Sequence, residues 1–320
     1  MHPAPSIIFF TVTSGAGYGL LAAAALAYLD STGSAMSFEE LRNTVVVALV
    51  AITLGLSAST LHLANPKNAW RAFSQYKTSW LSREGILALV TYPLALLFLL
   101  WAWAASPGAG GGVFLPAVLC ALISVATVYA TSMIYACLRT IPAWNNRLTP
   151  ANYLLGAAML GGVLFAATRA YHVGPQGSHA IWPFVAIGLA LVAKIAYFHW
   201  IGEARGVDIN AATGLGVPPR VNPVRDPVRL LDVGHSAGNF LTREFGVHAS
   251  ASTVGWLRIG VLLLGYCGAA VALVAARNGE HASLYLLPVA LAYAGLLAER
   301  WLFFAEARHV VGHYQGFQPR

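Results

Sequence analysis

The sequence predicts an all-α membrane protein, a bundle of eight transmembrane helices with both termini cytoplasmic. Three observations predict it. Of 320 residues, 58% are hydrophobic and only 10% are charged. Mean hydropathy is +0.64. The apolar residues also gather into runs long enough to cross a bilayer. Soluble domains carry about 25% charged residues, so the composition excludes a secreted protein, a nucleic-acid-binding protein and an ordinary cytosolic enzyme. The formal charge of +7 is therefore a matter of membrane topology. Three scattered cysteines, Cys120, Cys137 and Cys267, are too few for a disulfide framework, a zinc site or an iron-sulfur cluster.

A hydrocarbon core about 30 Å thick needs roughly 20 apolar residues in helical form. Polar, Gly and Pro interruptions bound eight such runs: Ile7–Leu29, Asn43–Leu63, Ile86–Ala105, Val113–Leu138, Tyr153–Tyr171, Ile181–Ile201, Val254–Ala275 and Leu284–Phe304. The first is too long for a signal-peptide core and lacks a positive leader, so it is expected to be retained. The second stops at Asn65-Pro66, and the third opens behind Ser82, expected to be its N-cap. In lipid every backbone group must bond internally, which makes all eight helical.

Orientation follows from the basic residues, which stay on the cytoplasmic side. With the N-terminus inside, that side holds 14 of the 19 Lys and Arg, against Arg42, Arg169 and Arg277 on the other; Lys194 and Arg300 lie within spans. The sequence reads as a single eight-helix domain over residues 1–320, with one long cytoplasmic arm over 202–253. Its Val217-Pro218-Pro219-Arg220, Asn222-Pro223 and Asp226-Pro227 steps favour extended backbone, and residues 239–245 could form a short helix. The arm is either a solvated linker or a docking surface.

Ionisable groups at membrane depth are costly, and each is a candidate for function. His62 ends the second span and Glu84 opens the third at the same leaflet. An imidazole poised near neutral pH beside a carboxylate suits quinone chemistry, in which two electrons and two protons are exchanged through ring oxygens. The plainer readings are a histidine at the interface and a glutamate favoured by the helix dipole. Between them, residues 67–80 form a basic, aromatic segment; Trp70 and Phe73 fit an interface, with Lys67, Arg71 and Lys77 toward water or lipid phosphate.

Lys194, Glu299, Arg300 and Glu306 gather near the same leaflet. A Lys194–Glu299 ion pair is the simplest reading and a proton path the sharper one. His199 at that leaflet makes bis-histidine haem b ligation with His62 conceivable. His309 and His313 have ligand spacing but no acidic or Cys neighbour. Ser14-Gly15-Ala16-Gly17-Tyr18-Gly19 has neither the strand nor the Lys of a phosphate loop. It is a small-residue packing surface, and a flat quinone ring beside Gly15, Gly17 and Tyr18 would need the same lack of side chains.

Met1-His2-Pro3-Ala4 with Thr13–Gly19, Leu61-His62-Leu63-Ala64-Asn65-Pro66, Ser79-Trp80-Leu81-Ser82-Arg83-Glu84, the stretch from His235 through Asn239 and Arg243 to Glu244, and Glu299-Arg300-Trp301-Leu302-Phe303-Phe304-Ala305-Glu306 together resemble the DmsC family. These are membrane-anchor subunits of dimethyl-sulfoxide reductases and of related quinone-linked sulfite dehydrogenases. The resemblance implies a multi-pass protein of the bacterial cytoplasmic membrane. Its partners would be a four-cluster ferredoxin-like iron-sulfur subunit and, through it, a molybdopterin catalytic subunit. It further implies ubiquinone or menaquinone as bound substrate, no iron-sulfur cluster or molybdopterin in this protein, and a quinone pocket at His62 and Glu84. Lys67, Arg71, Lys77, His235, Asn239, Arg243 and Glu244 are the expected docking residues. The charge distribution favours the anchor of a cytoplasm-facing sulfite dehydrogenase, with the quinol-oxidising anchor of a dimethyl-sulfoxide reductase as the alternative. An ion or solute transporter using Lys194, Glu299 and Glu84, and an anchor without a quinone site, are rivals of other classes.

Overall fold

Hydrocarbon offers no partner for a free N–H or C=O, and the apolar runs answer this by coiling into helices. The computed structural model describes residues 3–29, 36–60, 66–105, 114–175, 181–203 and 250–311. Among these are eight helices long and apolar enough to span a membrane: α1 (Pro5–Leu29), α2 (Phe38–Thr60), α3 (Trp80–Ala104), α4 (Phe114–Ala136), α5 (Leu148–Val173), α6 (Trp182–Glu203), α7 (Ala251–Arg277) and α8 (Leu286–Ala305). A 3-10 helix, Pro66–Gln75, precedes α3, and a 3-10 turn, Ala282–Tyr285, leads into α8.

Several helices begin earlier than hydropathy implies, and at α2 and α3 capping rather than apolarity sets the start. Ser37 Oγ accepts from the Glu40 N–H at 3.1 Å, so α2 opens at Phe38 with Glu39 and Glu40 in its first turn, five residues before Asn43. At α3 the N-cap is Ser79, whose side chain accepts from the Ser82 N–H. The expected cap, Ser82, instead donates its hydroxyl to the Ala72 carbonyl and ties the 3-10 helix to α3.

α1 is the hub. It packs on α2, α4, α5 and α8, and 78% of its apolar window is buried against 28% for α3 and for α6. Small residues permit this closeness. A Cβ on Gly17 would stand 2.6 Å from the Ala48 carbonyl oxygen of α2, and one on Gly19 would overlap the Ala157 carbonyl of α5. Buried hydroxyls bond back within their own helices, as Ser14 to the Phe10 carbonyl at 2.7 Å and Thr91 to that of Leu87 at 2.9 Å, which satisfies them without water. The outer helices turn Val50, Leu54, Leu89, Leu96, Val192 and Leu264 outward, all more than half exposed, as expected of faces that meet lipid. α7 is wound as a π-helix over Val261–Gly268, where Gly265 lies against the backbone of Gly295 in α8.

Candidate functional site

Because α3 starts at Trp80, Glu84 is its fifth residue. The N-terminal dipole fades beyond the first turn, so it does not account for a glutamate there. The carboxylate is 4% exposed. Its one hydrogen-bond partner among the described residues is the Thr131 hydroxyl of α4, which donates to Oε1. The same hydroxyl stands 3.0 Å from the Thr127 carbonyl, and with one proton it can serve either acceptor at a time. No cation pairs with Glu84 among the described residues.

Thr131 also lines a cavity of about 20 Å³ between α1, α4, α5 and α8, walled in part by Ser14, Gly15, Tyr18, Tyr153 and Arg300. Among the described residues the buried hydroxyls of Tyr18 and Tyr153 make no well-formed hydrogen bond, although Thr91 and Arg300 respectively lie near them. Beyond the cavity the Arg300 guanidinium covers the Tyr153 ring at 3.5 Å and stands 3.4 Å from Glu299 Oε2. Glu299 Oε1 pairs with Lys194, both side chains at most 2% exposed. The ion pair read from the sequence is thus present, and Arg300 makes it a triad. Glu306 pairs with Arg258 at the rim, the two side chains 12% and 26% exposed. Burial raises the Glu306 carboxyl above its ordinary range, against the lowering pull of Arg258.

The remaining candidates are distributed around this line of polar groups. Gly15 and Tyr18 face the cavity, whereas Gly17 presses on α2. Lys67, Arg71 and Lys77 are exposed on the segment before α3. There Trp70 stands outward at 65% exposure, the Phe73 ring covers Gly85, and Arg83 braces the segment by donating to the Tyr76 and Lys77 carbonyls at 2.9 and 2.7 Å. His199 is exposed on α6. His62, His313, His235, Asn239, Arg243 and Glu244, and with them the 202–253 arm apart from its ends, lie outside the described residues, so the His62–Glu84 pairing and the haem reading are untouched by this geometry. Among the described residues no group of three or more His, Cys, Asp or Glu could hold a metal.

Two features escaped the sequence. Thr131 is one hydroxyl among many in apolar spans and carried no signal. At the opposite end of the bundle Arg169 of α5 pairs with Glu40 of α2 at 3.2 Å, their side chains 10% and 2% exposed. The clue available was that Arg169 falls two residues inside the end of an expected span and Glu40 three residues before the start of another.

Similarity to known proteins bears on this geometry. The family model described as DMSO reductase anchor subunit (DmsC) matches residues 1–208, which takes in α1 to α6. The protein is 32% identical to the C component of the sulfite dehydrogenase of Allochromatium vinosum, over 97% of both sequences. It is 26% identical to the C component of the anaerobic dimethyl sulfoxide reductase of Haemophilus influenzae, over 60% of this sequence and 68% of that one. The first of these likenesses runs on through α7 and α8, so the Lys194–Glu299 pair joins the part that matches the family model to the part beyond it. With eight membrane-spanning helices and these matches, the chain belongs to the DmsC family of membrane-anchor subunits.

Proposed function

We propose that this protein is the quinone-reactive anchor of an oxidoreductase complex in the bacterial cytoplasmic membrane. A four-cluster iron-sulfur subunit delivers electrons to it, and a molybdopterin subunit oxidises sulfite behind that. The sulfite assignment draws on the Allochromatium relative, similar over 97% of both sequences, and on the distribution of basic residues, which favours a cytoplasmic side for both termini, the 67–80 segment and the 202–253 arm. Sulfite and water yield sulfate, two protons and two electrons; quinone takes up two electrons and two protons to become quinol.

The observation that carries the reading is Glu84, a buried carboxylate held by a hydroxyl and by no cation among the described residues. A structural charge in a membrane protein is normally paired. An acid whose partner can both donate and accept is suited to gain and lose a proton. Quinone binds where α2 ends and α3 begins, with His62 bonding one ring oxygen and Glu84 handling protons. The exposed Lys67, Arg71 and Lys77, with His235, Asn239, Arg243 and Glu244 of the arm, hold the iron-sulfur subunit. Glu84→Gln keeps the hydrogen-bonding shape and removes the acid. In the assembled complex, sulfite-to-quinone turnover should fall at least ~10-fold while the complex assembles normally. Wild-type turnover in this variant would overturn the assignment.

A further inference from the structure

Two phenol groups, Tyr18 and Tyr153, are buried with hydroxyls that find no well-formed hydrogen bond among the described residues, and both line one cavity of about 20 Å³. A membrane interior tolerates such orphans poorly. A cavity of this size holds one water, provided that two to four polar groups surround it. Tyr18, Tyr153 and Arg300 supply donors. Ser14 has already spent its proton on the Phe10 carbonyl, so its oxygen can accept. A space of about 20 Å³ is well matched to a water.

Its position matters more than its contents. On one side stands Thr131, whose single hydroxyl proton can point to Glu84 or to the Thr127 carbonyl. On the other stands Arg300, in contact with Glu299, which pairs with Lys194; Lys194 in turn lies within electrostatic range of Glu306, whose side chain is 12% exposed beside Arg258. All of these groups lie in the half of the bundle where α3, α5 and α7 begin and α4, α6 and α8 end. They extend from a buried carboxylate toward the rim of the protein.

We propose that this cavity is an internal water site through which Glu84 is reprotonated from the Lys194–Glu299–Glu306 side of the bundle. The inference rests on the proton role of Glu84 proposed above. In one transfer, Glu84 loses its proton to the quinone oxygen. The Thr131 hydroxyl then passes its proton to Glu84 and takes one from the cavity water. That water is restored by a proton entering past Glu299 from the Glu306 rim. One proton enters, one leaves, and no covalent group changes. Arg300 keeps its own protons at any accessible pH and serves as a positioning residue that orients the water and Glu299.

The test uses the assembled complex in membrane vesicles with sulfite and a soluble quinone. Thr131→Val preserves shape and deletes the hydroxyl, and Tyr153→Phe deletes only the phenol oxygen. Thr131→Val should slow turnover ~10-fold, with a larger solvent deuterium isotope effect, a maximum moved to lower pH and unchanged KM for quinone. Thr131→Ser should restore the rate, and Tyr153→Phe should slow it ~3-fold. Thr131→Val and Tyr153→Phe at wild-type rate with an ordinary isotope effect, alongside an impaired Glu84→Gln, would overturn the water route and leave the role of Glu84 standing. An unimpaired Glu84→Gln would overturn that role itself. A slowed Thr131→Val that Ser does not rescue, with no change in isotope effect or pH profile, marks a packing defect and also overturns the route.

Discussion

Glu40 and Glu84 are buried glutamates near opposite ends of the same bundle, 1% and 4% exposed, and they are held in different ways. Glu40 meets the Arg169 guanidinium at 3.2 Å, a pairing that fixes α2 to α5. Glu84 meets a threonine hydroxyl. A buried carboxylate opposite a permanent cation is drawn toward its charged form, whereas one opposite a hydroxyl can change its protonation without leaving a bare charge behind. Burial alone therefore does not mark a chemical acid. The partner does, and Glu299, set between Lys194 and Arg300, falls on the structural side of that division.

Breaking the Glu40–Arg169 pairing should have the largest effect on stability. Arg169→Met strands Glu40 and should cost about 3–5 kcal/mol, seen as a lower Tm and poor recovery of the complex. Adding Glu40→Gln should regain most of it. Glu84→Gln should shift Tm far less, by under about 1 kcal/mol, since Thr131 keeps an acceptor; equal losses in the two variants would erase the distinction. Lys194→Met should fall between them, at about 1–3 kcal/mol, because Arg300 remains 3.4 Å from Glu299.

The smallest expected effect is a pH dependence at the rim. Burial raises the Glu306 carboxyl, so its stabilising contribution is whole below the unfolded value of roughly 4.3 and is lost as pH climbs through the folded value. Glu306→Gln should flatten the fall of Tm between those two values. An unchanged slope would show that Arg258 compensates the burial fully.

Hydropathy made all eight helices legible, because a run of about 20 apolar residues has few other uses. Helix starts were less legible. Ser82 and Ser79 are both good caps three residues apart, and only the 3-10 helix folding back to claim the Ser82 hydroxyl chooses between them. Lys194 and Glu299 stood out as isolated charges deep in separate spans. Glu40 and Arg169 did not, since each sat beside a predicted boundary where a solvated charge is ordinary. Thr131 was invisible: a hydroxyl that can bond to its own helix costs little in lipid, so its cross-helix bond to Glu84 leaves no trace in composition.

The burial of α1 also bears on how the protein is made. The first described helix to leave the ribosome has 78% of its apolar window covered, yet its neighbours α4, α5 and α8 are synthesised long afterwards. During biogenesis the small residues that face α5, Gly15 and Gly19 among them, must wait in the membrane with only α2 for company. The bundle's centre is therefore completed last, and a polypeptide halted before α8 would present an open seam to the insertion and quality-control machinery.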